Sequence, residues 1–114
     1  MKVASSADIA KKPVNMEGAK GAAIRVLISK DDGAPTFAMR MFELEPGGNT
    51  PLHQHPHEHE VFVLEGTGVV ALEGKDHPIS PEDVVFVPGH SVHSFGNTGD
   101  STLRFLCLVP LSGA

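Results

Sequence analysis

Short apolar segments that end at glycine, proline or aspartate recur along the chain and limit what it can fold into. Turn-forming runs such as DDGAP (31–35), EGKD (73–76) and GNTGD (96–100) separate them. No ten-residue window carries a helical stripe of apolar residues. The segments lie at 22–30, 36–46, 60–66, 69–74, 83–89, 92–95 and 101–110. This spacing predicts an all-β fold of about seven or eight antiparallel strands, and it leaves a sandwich and a barrel both open.

Length and charge narrow the class of protein. A chain of 114 residues is large enough for one domain with its own core. The formal net charge of −5, without any basic block, argues against a nucleic-acid partner. No apolar run approaches the roughly 18 residues of a membrane span, and the amino end lacks a signal-peptide core. We therefore expect a cytoplasmic protein with neither a nucleic-acid nor a membrane partner.

The first 20 residues differ from the rest of the chain. They are polar, contain Pro13 and Gly18, and follow no sustained period. We expect residues 1–20 to form an arm that is partly mobile or packs on a partner subunit. Residues 21–114 are expected to form the folded body.

Residues 51–66 (PLHQHPHEHEVFVLEG) carry a dense group of histidines in front of an apolar strand. Imidazole is a good ligand for divalent transition metals. Side chains at alternate positions of a strand share one face, but Pro56 interrupts the ladder. The residues therefore predict a metal site formed by two neighbouring histidines and a third beyond the bend. The histidines of this stretch are His53, His55, His57 and His59.

Two motifs in this sequence resemble those of the cupin superfamily. The first, G-x5-H-x-H-x(3–4)-E-x6-G, is matched from Gly47 to Gly66, with a histidine where the family usually has its glutamate. The second, G-x5-P-x-G-x2-H-x3-N, is matched by Pro88, His93 and Asn97. Glu82 and His90 stand in its two glycine positions, and Gly89 is adjacent. The resemblance covers about residues 36–110.

The resemblance implies a double-stranded β-helix, or jelly-roll barrel, over residues 21–114. It also implies four metal ligands, His53, His55, His59 and His93, as in small single-domain cupins with four-histidine manganese sites. Glu60 is the rival of His59, and the spacing of six residues to Gly66 favours His59. His57 is expected to face solvent, and His77 and His90 are expected to be surface residues.

The metal is expected to be one divalent transition ion, with manganese or iron favoured and zinc, nickel or copper as alternatives. Four imidazoles around a six-coordinate ion leave two positions for a small-molecule substrate or ligand. Strand alternation turns Phe105 and Cys107 toward the cavity. Arg40 is expected to form either a salt bridge at the rim or an anion contact in the pocket mouth.

Two classes of function follow from the resemblance. The first is a metal-dependent enzyme, dioxygenase-like or oxalate-decarboxylase-like, acting on a small organic molecule. The second is a non-catalytic module that binds or senses a small ligand; a purely structural metal is a weaker third reading. The chain has no tyrosine, which excludes a tyrosine base and a Cys–Tyr crosslink. Family likeness and the arm favour a homodimer with exchanged strands.

Overall fold

Nine strands and three single-turn 3-10 helices make up the protein in a computed structural model that describes residues 1–114. The helices are Ser6–Asp8, Lys30–Asp32 and Leu111–Gly113, and none of them is long and apolar enough to cross a membrane. The all-β prediction is confirmed. The strands are β1 (Lys12–Pro13), β2 (Lys20–Ile28), β3 (Phe37–Asn49), β4 (His59–Glu65), β5 (Gly68–Leu72), β6 (Lys75–Ile79), β7 (Val84–Val87), β8 (His93–Asn97) and β9 (Leu103–Pro110).

The strands form one curled antiparallel sheet in the order β6-β5-β8-β3-β9-β4-β7, with β2 on β3 and β1 on β2. Strand β3 is the longest, with 13 residues. It pairs along its length with β9 and, at its end, with β8 through Asn49 and Gly96. Because β3 pairs with both β8 and β9, the sheet curls around one interior, which is the barrel that the motifs predict.

Strand β9 illustrates how the sequence fills that interior. Leu103, Phe105, Cys107 and Val109 are buried, and the residues between them are only partly covered. This is the alternation expected of a strand with one face on the core. Burial of each such apolar side chain stabilises the fold by about 1.5–3 kcal/mol. The same alternation brings Phe105 and Cys107 to the inner surface.

Two elements differ from their predictions. Strand β3 continues through Pro46 to Asn49 instead of ending at the proline. Residues 73–76 were predicted as a turn, yet Lys75 already belongs to β6. The turn is shorter because Glu73 and Gly74 both have positive φ, 50° and 77°, as a two-residue hairpin connection requires.

The amino-terminal arm packs against β2 of its own chain. Strand β1 pairs with β2, and the Arg25 guanidinium donates hydrogen bonds to the carbonyl oxygens of Ser6 and Ile9 at 3.3 and 2.6 Å. Lys2 donates to the carbonyl of Leu27 at 2.9 Å. Exchange of the arm between subunits stays a prediction.

The glycine positions of both motifs share one backbone conformation. Gly47 and Gly66 have φ of 79° and 82°, and Glu82 and His90 have φ of 74° and 67°. Gly66 is doubly constrained, since a Cβ there would collide with the carbonyl oxygen of Thr102. The second motif therefore requires a left-handed backbone at positions where this chain carries side chains.

Candidate metal centre

Backbone hydrogen bonds connect the histidine loop, residues 50–58 between β3 and β4, to the barrel. The N–H of His53 donates to the carbonyl of His93 at 3.1 Å, and the N–H of His93 donates back to His53 at 2.9 Å. The N–H of His90 donates to the carbonyl of His55 at 2.6 Å. His59 and His93 are the first residues of β4 and β8. The loop and two strands therefore present their imidazoles from fixed backbone positions.

Hydrogen bonds to carbonyl oxygens orient two of the rings. Nδ1 of His55 lies 2.8 Å from the carbonyl of His57, and Nδ1 of His93 lies 2.8 Å from the carbonyl of Ser91. A carbonyl oxygen can only accept, so each Nδ1 carries the proton. The Nε2 atoms of His55 and His93 are then unprotonated, which is the state in which imidazole binds a metal.

The His59 ring reaches the same cluster of imidazoles from the start of β4. Its Nε2 lies 2.9 Å from Nε2 of His55, and its Nδ1 lies 3.2 Å from Sγ of Cys107. The His59 side chain is buried, whereas Glu60 is exposed on the other face of the strand. In the tautomer that carries the His59 proton on Nδ1, toward the thiol, the Nε2 lone pairs of His59 and His55 face each other, an arrangement that a bound cation would stabilise.

Five histidines form this cluster, in two groups that share His55. Two groups of three, each with its ligand atoms within 4.8 Å of one another, are His53–His55–His93 and His55–His57–His59. The donor set is wholly imidazole, so it fits a divalent transition ion of borderline softness. The exposed acidic side chains of the loop, Glu58 and Glu60, lie outside it.

The rings open into a cavity of about 350 Å³. Arg40, Phe105 and Cys107, which the sequence analysis proposed as pocket residues, all line it. Val14 and Met16 of the arm and Gly113 near the carboxyl end also line it. Nothing in the sequence pointed to these three, because their position depends on packing between distant parts of the chain.

Comparison with known proteins decides the family. The family model described as "Cupin domain" matches residues 40–109, which is more than half of the chain. This chain is a cupin. The matched residues include every histidine of the two groups and the strands that carry them.

Several known proteins are similar to this cupin. The oxalate-binding protein of Thermotoga maritima is 40% identical over 116 residues, which cover 97% of this chain and 94% of that protein. The 1-methylthio-D-xylulose 5-phosphate methylsulfurylase of Rhodospirillum rubrum is 39% identical over 74 residues, and the match covers 65% of this chain but only 47% of that enzyme. The structure of the polyketide cyclase RemF from Streptomyces resistomycificus superposes with a TM-score of 0.92 at 36% identity, covering 97% of this cupin and 80% of that chain.

Burial favours the neutral form of three imidazoles of this cupin. Burial is the largest cause that lowers the pKa of His53, His59 and His93, and for His59 the pKa falls to about 3. The positive charge of Arg40 contributes to the lowered pKa of His59 and His53. Burial also raises the pKa of the Cys107 thiol. Protons therefore compete less with a metal ion for these three imidazoles than for an ordinary histidine.

His57 lies elsewhere than the sequence analysis expected. Its ring is half-buried at the cavity wall and stacks on the His55 ring, with centroids 3.7 Å apart and an interplanar angle of 2°. Gly113 packs against this ring, and a Cβ at that position would collide with it. The solvent-facing prediction was wrong because the contact between the histidine loop and the carboxyl-terminal turn is non-local. His77 and His90 are exposed.

Arg40 enters the cavity from β3. Its Cα partner across the sheet is Cys107, so the two side chains leave the sheet on the same face. Nη2 of Arg40 lies 3.3 Å from Sγ of Cys107, and the guanidinium carbon lies 5.2 Å from the centroid of the Phe42 ring. No carboxylate lies within 4.0 Å of Arg40. The rim salt bridge, one of the two expectations, does not form.

Proposed function

We propose that this cupin is a metal-dependent enzyme that binds one divalent transition ion through His53, His55, His59 and His93. The observation that carries the proposal is the clustering of five imidazoles in two groups that share His55, with two rings already oriented by hydrogen bonds to carbonyl oxygens. His59 is preferred to Glu60 because His59 faces the cavity and Glu60 faces outward. The ion is proposed to be manganese or iron, with zinc, nickel and copper as the alternatives that imidazole also accepts.

A bound ion would supply Lewis acidity and a template for a small substrate at the positions that the four imidazoles leave open. The protein supplies the rest of the site. Phe42, Phe95 and Phe105 provide an apolar wall, and Arg40 provides a fixed positive charge. The reaction is proposed to be dioxygenase-like or decarboxylase-like. Relatives named as an oxalate-binding protein and as a 5-nitrosalicylic acid 1,2-dioxygenase support this range of small organic acids.

The ligand assignment is tested by metal content. Protein reconstituted with Mn(II) or Fe(II) and dialysed is measured by mass spectrometry for the wild type and the variants His59→Ala, Glu60→Ala, His57→Ala and His93→Ala. We expect about one ion per wild-type chain, loss in His59→Ala and retention in Glu60→Ala. Retention in His57→Ala supports the four proposed ligands. Loss there, with retention in His93→Ala, would instead assign the ion to His55, His57 and His59.

Catalysis is tested on the reconstituted protein. Oxygen consumption is followed over a panel of catechols and diketones, and carbon dioxide release is followed with oxalate. The control is His93→Ala, which removes one proposed ligand from β8. Metal-dependent turnover of any panel member, absent in His93→Ala, supports the enzyme.

A non-catalytic binding module is the second candidate. It is favoured by the similarity over nearly the whole chain to a relative named for oxalate binding. Binding of oxalate to the metal-loaded protein, without turnover of any member of the panel, would support this candidate. A metal that is only structural would stabilise the fold but would bind neither substrate nor ligand.

We also propose a cytoplasmic homodimer without a nucleic-acid partner. The outer face of β4 and β7 supports self-association, because Phe62, Val84 and Phe86 expose 41%, 77% and 59% of their surface around an apolar groove. Sedimentation equilibrium of the wild type and of Phe86→Glu tests the dimer. A monomeric wild type at micromolar concentration would contradict it.

A further inference from the structure

Arg40 is the one cavity residue with a permanent charge. The residues that line the cavity include neither aspartate nor glutamate. The other partly buried arginines are paired: Arg25 contacts Glu43 at 2.9 Å and Arg104 contacts Glu43 at 3.2 Å. Arg40 therefore differs from them in having no counter-ion.

The hydrogen bonding of Arg40 is also incomplete. Its acceptor in the protein is the Cys107 thiol at 3.3 Å, and sulfur is a weak acceptor. Its Nε is buried and has no hydrogen-bond partner. A buried charged donor without a strong acceptor is costly, so such an arrangement is expected where a ligand provides the acceptor. The planar fork of a guanidinium matches a carboxylate in particular.

Two contacts hold the guanidinium in place. The Phe42 ring lies beneath it at 5.2 Å, and the Cys107 thiol contacts both Arg40 and His59. Arg40 and His59 therefore contact the same sulfur from β3 and β4. A ligand that reaches the His59 nitrogen facing His55 needs only a few atoms to reach Arg40 as well.

We propose that Arg40 is the specificity-determining residue of this site and that the cavity takes a small organic acid bound as its carboxylate. One carboxylate oxygen accepts from Arg40, and the other end of the acid would reach the ion that the histidines would hold. This rests on the proposed metal function and adds the class of substrate to it. Neutral molecules of the same shape lack the charge that Arg40 recognises. The cavity of about 350 Å³ limits the acid to a small one.

The test compares oxalate with oxamide, its neutral planar counterpart. Both are titrated calorimetrically into Mn(II)-loaded protein, and the metal content is measured afterwards to detect stripping. The proteins are the wild type, Arg40→Gln, Arg40→Met and Arg40→Lys. The control is Lys75→Gln, which removes the same charge from an exposed position of β6 outside the cavity. Circular dichroism and thermal melting establish that each variant is folded.

We expect the wild type and Lys75→Gln to bind oxalate at least about 10- to 100-fold more tightly than oxamide, as charge-assisted hydrogen bonds predict. Arg40→Gln and Arg40→Met should bind oxalate about 10-fold or more weakly than the wild type while keeping their metal, and Arg40→Lys should lose less. Part of the preference for oxalate should remain in every variant, because the metal itself prefers an anion. Equal oxalate affinity in wild type and Arg40→Gln, at equal metal content, would overturn the anion assignment alone. Failure of the wild type to bind any divalent ion would instead overturn the proposed function.

Discussion

Sγ of Cys107 lies 3.2 Å from Nδ1 of His59 and 3.3 Å from Nη2 of Arg40, so one buried thiol links a proposed metal ligand to the cavity arginine. The thiol is 2% exposed, and it carries a raised pKa because of burial. It therefore acts as a neutral hydrogen-bonding group between two strands.

Replacing Cys107 with alanine should weaken metal binding. The substitution removes the partner that orients the His59 ring, and loss of such a partner weakens metal affinity by about 10-fold or more. Cys107→Ser, which keeps a hydrogen-bonding atom, should lie between wild type and alanine. Competition with a chromogenic chelator measures the affinities. Equal affinity in wild type and Cys107→Ala would contradict an orienting role for the thiol.

Metal retention should extend to lower pH than free imidazole allows. Protons compete with a metal ion for an ordinary histidine below about pH 6.5. The lowered pKa of His53, His59 and His93 means that these rings protonate only at more acidic pH in the folded protein. Metal content after dialysis from pH 8 to pH 3 should fall with a midpoint below about 6.5. Release centred at or above that pH would be inconsistent with buried ligands.

The lowered pKa of His59 makes the metal-free fold sensitive to acid. His59 has a pKa of about 3 when folded, against about 6.5 when unfolded, so the unfolded chain binds more protons between these values. Stability of the metal-free protein should therefore decline as pH falls through this window. Urea unfolding at pH 7.5 and 5 measures the decline. In His59→Ala the decline should be smaller.

Glycine at either Glu82 or His90 should stabilise the protein. Both residues have positive φ, which costs an L-residue about 1–2 kcal/mol. Glycine avoids this cost, but its larger conformational entropy in the unfolded state offsets part of the gain. We expect Glu82→Gly and His90→Gly each to raise the free energy of unfolding by about 0.5–1 kcal/mol. Asp100→Gly, at an exposed loop position without positive φ, is the control and should not stabilise. A loss of stability in both motif variants would refute the conformational interpretation.

Asn97 should be among the most sensitive polar residues. Its Nδ2 donates to the carbonyls of Leu44 and Ser101, each at 2.8 Å, and its Oδ1 accepts from the N–H of Gly99 at 2.9 Å. Asn97→Ala leaves a buried carbonyl unpaired and should cost about 2–3 kcal/mol in urea unfolding. The exposed neighbour Thr98 offers the matched control, Thr98→Ala, for which little change is expected.

The sequence predicted the parts of this molecule that depend on local pattern. Alternation in β9 placed Phe105 and Cys107 inward, and the Gly–Pro–Asp turns separated most strands correctly. It could not place His57, whose position depends on a contact with Gly113, 56 positions further along the chain. It also left Arg40 between two roles, because only the folded chain reveals whether a carboxylate reaches it. Long-range packing, rather than residue type, decides such cases.

The reciprocal backbone pair between His53 and His93 joins two segments that are forty residues apart in the sequence. An ion held by both imidazoles would join the histidine loop to β8 through side chains as well as backbone, so metal binding should slow local unfolding of the loop. Occupancy in turn would lock the loop: at a free metal concentration 100 times the Kd, binding adds about 2.7 kcal/mol to the folded state. The hydrogen-exchange rates of the His53 and His93 amides, with and without metal, would therefore measure how strongly the supply of metal controls the stability of this loop.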